Sequence, residues 1–448
     1  LLELFSSGLV SLWLNLAKVS DPLQSMANLV PGLDTPWFVG SGAPDLGTQA
    51  VVQQYLQGLT AKGLTKSLQG IWIQSGSVFL ASNQGTTPLP AASVTKVATS
   101  LASLQTWDPD HQFETLISAT GPIQNGVLQG DLVVQGGGDP LFVWEEAIAL
   151  GNDLNQMGIS KITGNLIITG NFLMDFETQP EKAGEMLKQA LDSQHWSSDV
   201  EAQYQALPNR IHRPQLAIAG SVQVLTYGAD SLPGQILLVR HHSLPLKQIL
   251  KLMNIYSNNV VAESLANSVG GAGVVAQRAS EAAGVPPTEI SLINGSGLGM
   301  QNQISPRAAC AMFATLQRYL LAHNLTIADI FPISGIDEGS IEGRKIPAAA
   351  VVKTGTLNQV SALAGVVPTR DRGLIWFAIM NRGTDLDGLR HQQDVLLQTL
   401  VNQWGMVSSS PLAIAPTYPL HEASKVLGDT RRNQVLGAGT TGNIYGGN

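Results

Sequence analysis

Ser93-Val94-Thr95-Lys96 opens a helical pattern that continues through Val97, Leu101 and Leu104 and stops before Asp108-Pro109. A serine hydroxyl is a poor nucleophile near neutral pH and needs a base beside it. Residues i and i+3 of a helix share a face, so the Lys96 amine can approach Ser93 Oγ. Burial at a helix N-terminus would push that amine toward its neutral, proton-accepting form. Alone, the same four residues also describe a serine cap followed by a surface lysine.

Two further stretches change the weight of the first. Tyr256-Ser257-Asn258-Asn259 places three consecutive polar residues inside a helical run that resumes with Val260, Val261 and Ala262, an odd pattern for a simple amphipathic helix. A water-exposed break in the helix would explain it, and so would a serine that relays a proton and an asparagine that bonds a lysine and a substrate backbone. Lys353-Thr354-Gly355-Thr356 ends the apolar run Ala348–Val352. An edge strand ending in a cation and a hydroxyl suits a substrate that adds as an extra strand and offers a carboxylate, and glycine lets its backbone come close. The plainer reading is an ordinary strand with an exposed lysine.

S-x-x-K, S-x-N and K-T-G in this order form the set shared by penicillin-binding proteins and class A β-lactamases. The gaps here are 257−93 = 164 and 353−257 = 96 residues. Flanking segments narrow the comparison: Gly130-Asp131-Leu132 with Gly137-Gly138-Asp139-Pro140, Ile162–Leu166, Gly295-Ser296-Gly297-Leu298, Ile304-Ser305-Pro306, Phe331–Gly335 and Ser361–Gly365. On these residues the chain resembles the D-alanyl-D-alanine carboxypeptidase/endopeptidase family of class C, low-molecular-mass penicillin-binding proteins, serine peptidases of the S13 type, from about Ala50 to Trp404. The resemblance implies catalytic roles for Ser93, Lys96, Ser257, Asn259 and Lys353, and substrate binding by Thr354, Gly355 and Thr356. It also implies an oxyanion hole from the Ser93 and Thr356 N–H groups. Three departures stand out: the first gap is short for the family, Asn294 replaces an aspartate, and Met300 replaces an arginine. That arginine holds a distal carboxylate in members acting on diaminopimelate peptides.

Around these motifs the chain reads as helices and strands, then a strand-rich middle, then helices and a further sheet. Helical spacing appears over Thr48–Leu64, Glu181–Asp192, Leu246–Val269, Pro306–Leu321 and Gly388–Trp404. Strands are expected at Gly70–Gln74, Ser77–Ala81, Asp131–Gln135, Asn165–Thr169, Gln215–Tyr227, Gln235–Val239, Ala349–Lys353, Gln359–Val367 and Leu374–Met380. The expected class is α+β: a penicillin-binding/β-lactamase-like domain, an antiparallel sheet packed with helices, interrupted by a strand-rich insertion. The catalytic domain would take residues 41–107 and 245–407, with an accessory domain at 108–244 and a tail at 408–448, its Gly- and Asn-rich end from Asp429 being disordered. Residues 1–40 begin with the apolar run Leu1–Leu14, which reads either as an export-signal remnant or as an amphipathic surface helix.

Composition sets bounds on partners and chemistry but says little about compartment. A net charge of −8 without a basic cluster argues against nucleic acid as a partner. The single Cys310 excludes an internal disulfide and reads as core, and His241-His242 reads as a surface pair. Gln135-Gly136-Gly137-Gly138 lacks phosphate-loop spacing and reads as a tight turn. The expected activity is D-Ala-D-Ala carboxypeptidase or D-alanyl endopeptidase action on peptidoglycan peptides through a Ser93 acyl-enzyme. No cofactor or metal is expected, and the resemblance implies a periplasmic or otherwise extracytoplasmic protein with β-lactams as covalent inhibitors. The rivals are a β-lactamase or esterase on the same scaffold, and a non-catalytic wall-binding protein.

Overall fold

A computed structural model describes residues 43–207, 212–225, 234–418 and 427–436. The N-terminal segment 1–40, Thr226–Tyr227 of one expected strand and residues 419–426 and 437–448 of the expected tail lie outside the described residues. In chain order come α1 (Leu46–Ala61), β1 (Gln69–Ser75), β2 (Val78–Asn83), α2 (Thr95–Thr106), β3 (Glu114–Ala119), β4 (Leu132–Gly137) and α3 (Trp144–Gln156). Then follow β5 (Leu166–Asn171), α4 (Pro180–Leu191), α5 (Ser198–Ala206), β6 (Val222–Leu225), β7 (Ile236–His242), α6 (Leu246–Tyr256), α7 (Asn259–Val269) and α8 (Ala272–Ala283). The remainder is α9 (Pro306–Ala322), β8 (Val351–Leu357), β9 (Val360–Thr369), β10 (Gly373–Arg382), α10 (Leu386–Trp404) and β11 (Asn433–Val435). The fold is α+β, as expected. By contact it divides into two compact units: one up to Leu101 with Ala276–Ile293 and Gly297–Thr417, the other Ala102–Val275 with Asn294–Ser296 and the described residues from Tyr418 onward.

The first unit is built on an antiparallel sheet ordered β8-β9-β10-β1-β2. Side chains alternate across a strand. Ile71, Ile73, Ile375, Phe377 and Ile379 therefore share one face, where they cluster with Val52, Leu56 and Leu59 of α1 and Leu396, Leu397 and Leu400 of α10. The alternate face, with Trp72 and Trp376, is covered by α9, whose buried Cys310 approaches the Trp72 carbonyl at 3.7 Å. Helix α1 begins where Asp45 accepts the Thr48 N–H at 2.8 Å, a cap worth about 1 kcal/mol.

The second unit holds a mixed sheet ordered β6-β5-β4-β3-β7-β11, parallel from β6 to β4 and antiparallel from β4 to β11. Parallel neighbours need a crossover, usually helical. That requirement is met by α3, between β4 and β5, where no helix was expected although Trp144, Ala147, Ile148 and Leu154 carry helical spacing. Its Gly151 sits mid-helix, where a Cβ would come within 2.7 Å of Pro214. The helices α3 and α4 bury Ile148, Leu150, Leu154, Leu187 and Leu191 against Val134, Leu166 and Ile168. Three local expectations are corrected. His241 is fully buried, because β7 turns it inward while His242 stays half-exposed. Gly136 and Gly137 continue β4, and only Gly138, at φ 91°, turns. Part of the expected tail is ordered, with Asn433–Val435 pairing along β7.

Candidate active site

Ser93 lies in a single 3-10 turn, Ala92–Val94, immediately before α2. The turn closes with Val94 N–H on the Ala91 carbonyl at 3.1 Å, and Ala92 is held at φ 47°, a left-handed conformation that only glycine adopts freely. Functional sites are where such strain tends to be stored. Lys96, one turn on, is fully buried, and its Nζ is 3.1 Å from Ser93 Oγ. The i, i+3 reading of the motif is thus realised in three dimensions.

Strand β8 is the outermost strand of the first sheet, and it runs beside this turn. Lys353 is fully buried and donates from Nζ to the Thr354 carbonyl at 2.9 Å. Burial, and secondly the charge of Lys96, hold the Lys353 amine well below its ordinary pKa. Gly355 is where the strand comes closest: a Cβ there would lie 2.7 Å from the Ala91 carbonyl oxygen and 3.0 Å from the Ser93 nitrogen. Thr354 is buried, whereas Thr356 is exposed and accepts from Arg390 Nη2 at 3.1 Å. The structure therefore assembles Ser93, Lys96, Lys353, Thr354, Gly355 and Thr356 in the first unit.

Ser257 and Asn259 belong to the second unit. The run expected as one helix is two: Ser257 takes φ 54° and ends α6, and Asn258 caps α7 by accepting the Val261 N–H at 3.0 Å. Polar residues interrupt the apolar run because one serves as a left-handed stop and the next as a cap. Asn259 is the first residue of α7.

Met300 is half-buried in a loop after the left-handed Gly299. Two arginines that could stand in for the missing cation are committed elsewhere. Arg307 pairs with Glu289, and Arg344 forms a buried pair with Asp394 at 2.7 Å. Sequence reasoning missed Asn302, which is fully buried. Its side chain bonds the Ile293 N–H at 3.0 Å and the Leu298 carbonyl at 2.9 Å, and its own carbonyl accepts the Ala91 N–H at 2.9 Å. A lone asparagine outside any motif gives no sequence signal. Among the described residues, no group of three or more His, Cys, Asp or Glu could hold a metal. Likewise no helix is long and apolar enough to cross a membrane. A cavity of about 630 Å³ in the second unit, lined by Glu185, Lys188, Asp192 and Ile218, contains none of the motif residues.

Residues 52–185 and 209–403 match the D-Ala-D-Ala carboxypeptidase 3 (S13) family. The chain belongs to this family. A D-alanyl-D-alanine carboxypeptidase DacB of Haemophilus influenzae is 26% identical, over 80% of this chain and 91% of that protein. The crystal structure of penicillin-binding protein 4 from Haemophilus influenzae superposes with a TM-score of 0.59 at 22% identity, covering 79% of this chain and 99% of that one. The predatory endopeptidase Bd3459 of Bdellovibrio bacteriovorus, acylated by penicillin G, superposes at 0.65 with 22% identity, covering 80% and 97%. Membership of the S13 family makes this chain a serine-type D-Ala-D-Ala peptidase, and the superpositions bear out the fold expected of one.

Proposed function

We propose that this S13 member hydrolyses D-alanyl bonds of peptidoglycan stem peptides and cross-links through an acyl-enzyme on Ser93. The observation that carries the proposal is the buried Lys96 amine 3.1 Å from Ser93 Oγ. Neutral Lys96 takes the hydroxyl proton as Oγ attacks the carbonyl of the penultimate D-alanine, and the N–H groups of Ser93 and Thr356 hold the oxyanion. Ser257 and Lys96 pass the proton to the departing amine, Asn259 positions the peptide, and water then releases the acyl group. Lys353 and Thr354 bind the terminal carboxylate. The functional domain on this reading is 41–107 with 245–407, because Ser257 and Asn259 fall in it, and 108–244 is accessory. An extracytoplasmic, periplasmic location follows from the substrate, with β-lactams as covalent inhibitors and no part for nucleic acid.

Fluorescent penicillin tests this directly when labelling and label loss are both followed. Durable label on the wild type, absent from a folded Ser93→Ala variant, is expected. Rapid label loss would favour a β-lactamase or esterase, and no label at all a non-catalytic wall-binding protein.

A further inference from the structure

We infer that Glu263 is a positioning residue for acylation, acting through the segment Gly295-Ser296-Gly297 on the turn that carries Ser93; this rests on the Ser93 reading above. Glu263 lies on α7, one helical turn after Asn259. Its two carboxylate oxygens accept separate backbone N–H groups, Gly295 at 3.0 Å and Ser296 at 2.9 Å. Hydrogen bonds to a charged acceptor are the stronger kind, and a fork of two fixes orientation as well as distance. The segment has no freedom to sit differently against α7. A Cβ on Gly295 would collide with the Ala266 side chain and lie 2.7 Å from the Ala262 carbonyl oxygen. Ser296 is fully buried.

The next residue transmits this constraint. Gly297 adopts φ 89°, and a Cβ there would strike the Ala92 carbonyl oxygen and lie 2.9 Å from Thr95 Oγ1. The chain thus lies directly against the residues flanking Ser93. Asn302 fastens the far end of the same loop, with the Ala91 N–H on its carbonyl at 2.9 Å. Ala91 and Ala92, the latter in its left-handed conformation, are therefore backed by a loop whose beginning is set by one carboxylate. Displacing reacting groups by about 1 Å can cost on the order of a hundredfold in rate, so a residue that touches no substrate can still control acylation.

Glutamate is specifically required because both partners are donors. A glutamine of the same size would offer one acceptor and turn its amide N–H₂ toward the other N–H, losing one bond without changing volume. The experiment compares acylation by fluorescent penicillin, over a range of concentrations, in wild type, Glu263→Gln and Glu263→Ala, with thermal unfolding measured on each. The limiting acylation rate is expected to fall about tenfold in Glu263→Gln, the scale of one charge-assisted hydrogen bond, and further in Glu263→Ala. The half-saturating concentration should stay within about twofold of wild type, because no binding group is removed. A wild-type limiting rate in folded Glu263→Gln overturns the inference, and so does a loss confined to half-saturation. Should Glu263→Ala fail to fold, the glutamine variant carries the test alone. Label that survives Ser93→Ala would overturn the underlying reading, whatever the Glu263 variants do.

Discussion

Lys96 and Lys353 bring two amines into one buried space, and charge on one opposes charge on the other. The arrangement divides labour if Lys96 gives up its proton to become the base while Lys353 keeps one for the carboxylate. Because Lys353 is held well below the ordinary lysine value of 10.5, its cation is lost as pH rises through that lowered value. Capture of a substrate carboxylate should therefore weaken with rising pH sooner than a surface lysine would allow, and binding should take up a proton. Lys353→Ala should slow acylation by carboxylate-bearing substrates roughly tenfold to a hundredfold, the worth of one charge-assisted bond. Unchanged acylation rates in that variant would remove Lys353 from carboxylate recognition. Lys96→Arg should be nearly inactive, since a guanidinium does not accept a proton; a rate near wild type would exclude Lys96 as the base. Met300 belongs at this scale too. With Arg307 and Arg344 spent on Glu289 and Asp394, peptide mimics with and without a distal carboxylate should acylate with similar efficiency, and Met300→Arg should favour the charged one. A wild-type preference of tenfold or more for the charged mimic, about 1.4 kcal/mol, would mean that another group clamps it.

At the scale of elements, β8 and the Ala92–Val94 turn depend on Gly355 for their approach. Gly355→Ala places a Cβ against the backbone of Ala91 and Ser93, at 2.7 and 3.0 Å, so strand or turn must move. Acylation should fall at least tenfold in the folded variant, with folding checked by thermal unfolding because this part of β8 is buried; an unaffected limiting rate would show that the approach tolerates a methyl group. The same elements show what was legible in the sequence. The three motifs, α1, α9, α10 and the strands β8 to β10 carry their own periodicity, so both their existence and order could be read. Helix α3 was legible as well, in the spacing of Trp144, Ala147, Ile148 and Leu154, but its role as a crossover rests on the parallel pairing of β4 with β5, a long-range fact. The split of α6 from α7 was visible as three polar residues, although whether they formed a break or a site was open. Glu263 and Asn302 left no trace, since the side chain of each bonds backbone groups, 32 and 33 residues on for Glu263 and four and nine residues back for Asn302, and backbone partners leave no residue pattern.

For the molecule as a whole, the least legible feature is the way its C-terminal segment closes the second sheet. Strand β11 is polar and short, and its pairing with β7 is supported by a buried charge cluster. His241 Nδ1 bonds Asn433 Oδ1 at 2.7 Å, while its Nε2 faces Asp139 at 3.6 Å and Glu146 at 4.0 Å. Asn433 also donates to Asp153 at 2.5 Å, and Arg432 pairs with Glu146. Burial, the largest single influence on His241, disfavours its cation, but Asp139, Glu146 and Asn433 together outweigh it and leave the pKa above 6.5. Asp153 is likewise raised, by burial against the opposing influence of Asn433 and His241. Both groups bind protons more firmly in the folded state, so both stabilise more as pH falls. The His241 contribution is complete below its unfolded value near 6.5 and is lost as pH rises through the raised folded value. Subtracting the pH profile of a His241→Gln variant from that of wild type, by chemical denaturation of the full chain, should show a term that declines upward from about pH 6.5. Asp139, Glu146 and Asp153 interact with His241, so the difference also carries their response to its loss, and the readout is the sign of the slope above about pH 6.5. Arg432→Ala, which leaves the buried Glu146 with the Gly428 N–H at 3.1 Å and His241 at 4.0 Å but without its guanidinium, should cost the second unit about 3–5 kcal/mol. A flat difference profile would mean that folding leaves the His241 pKa unchanged, and a term that falls below about pH 6.5 would mean that His241 stays neutral in the fold. A loss below about 1 kcal/mol in Arg432→Ala, well short of the usual cost of breaking a buried pair, would mean that the C-terminal strand is held by its backbone pairing alone.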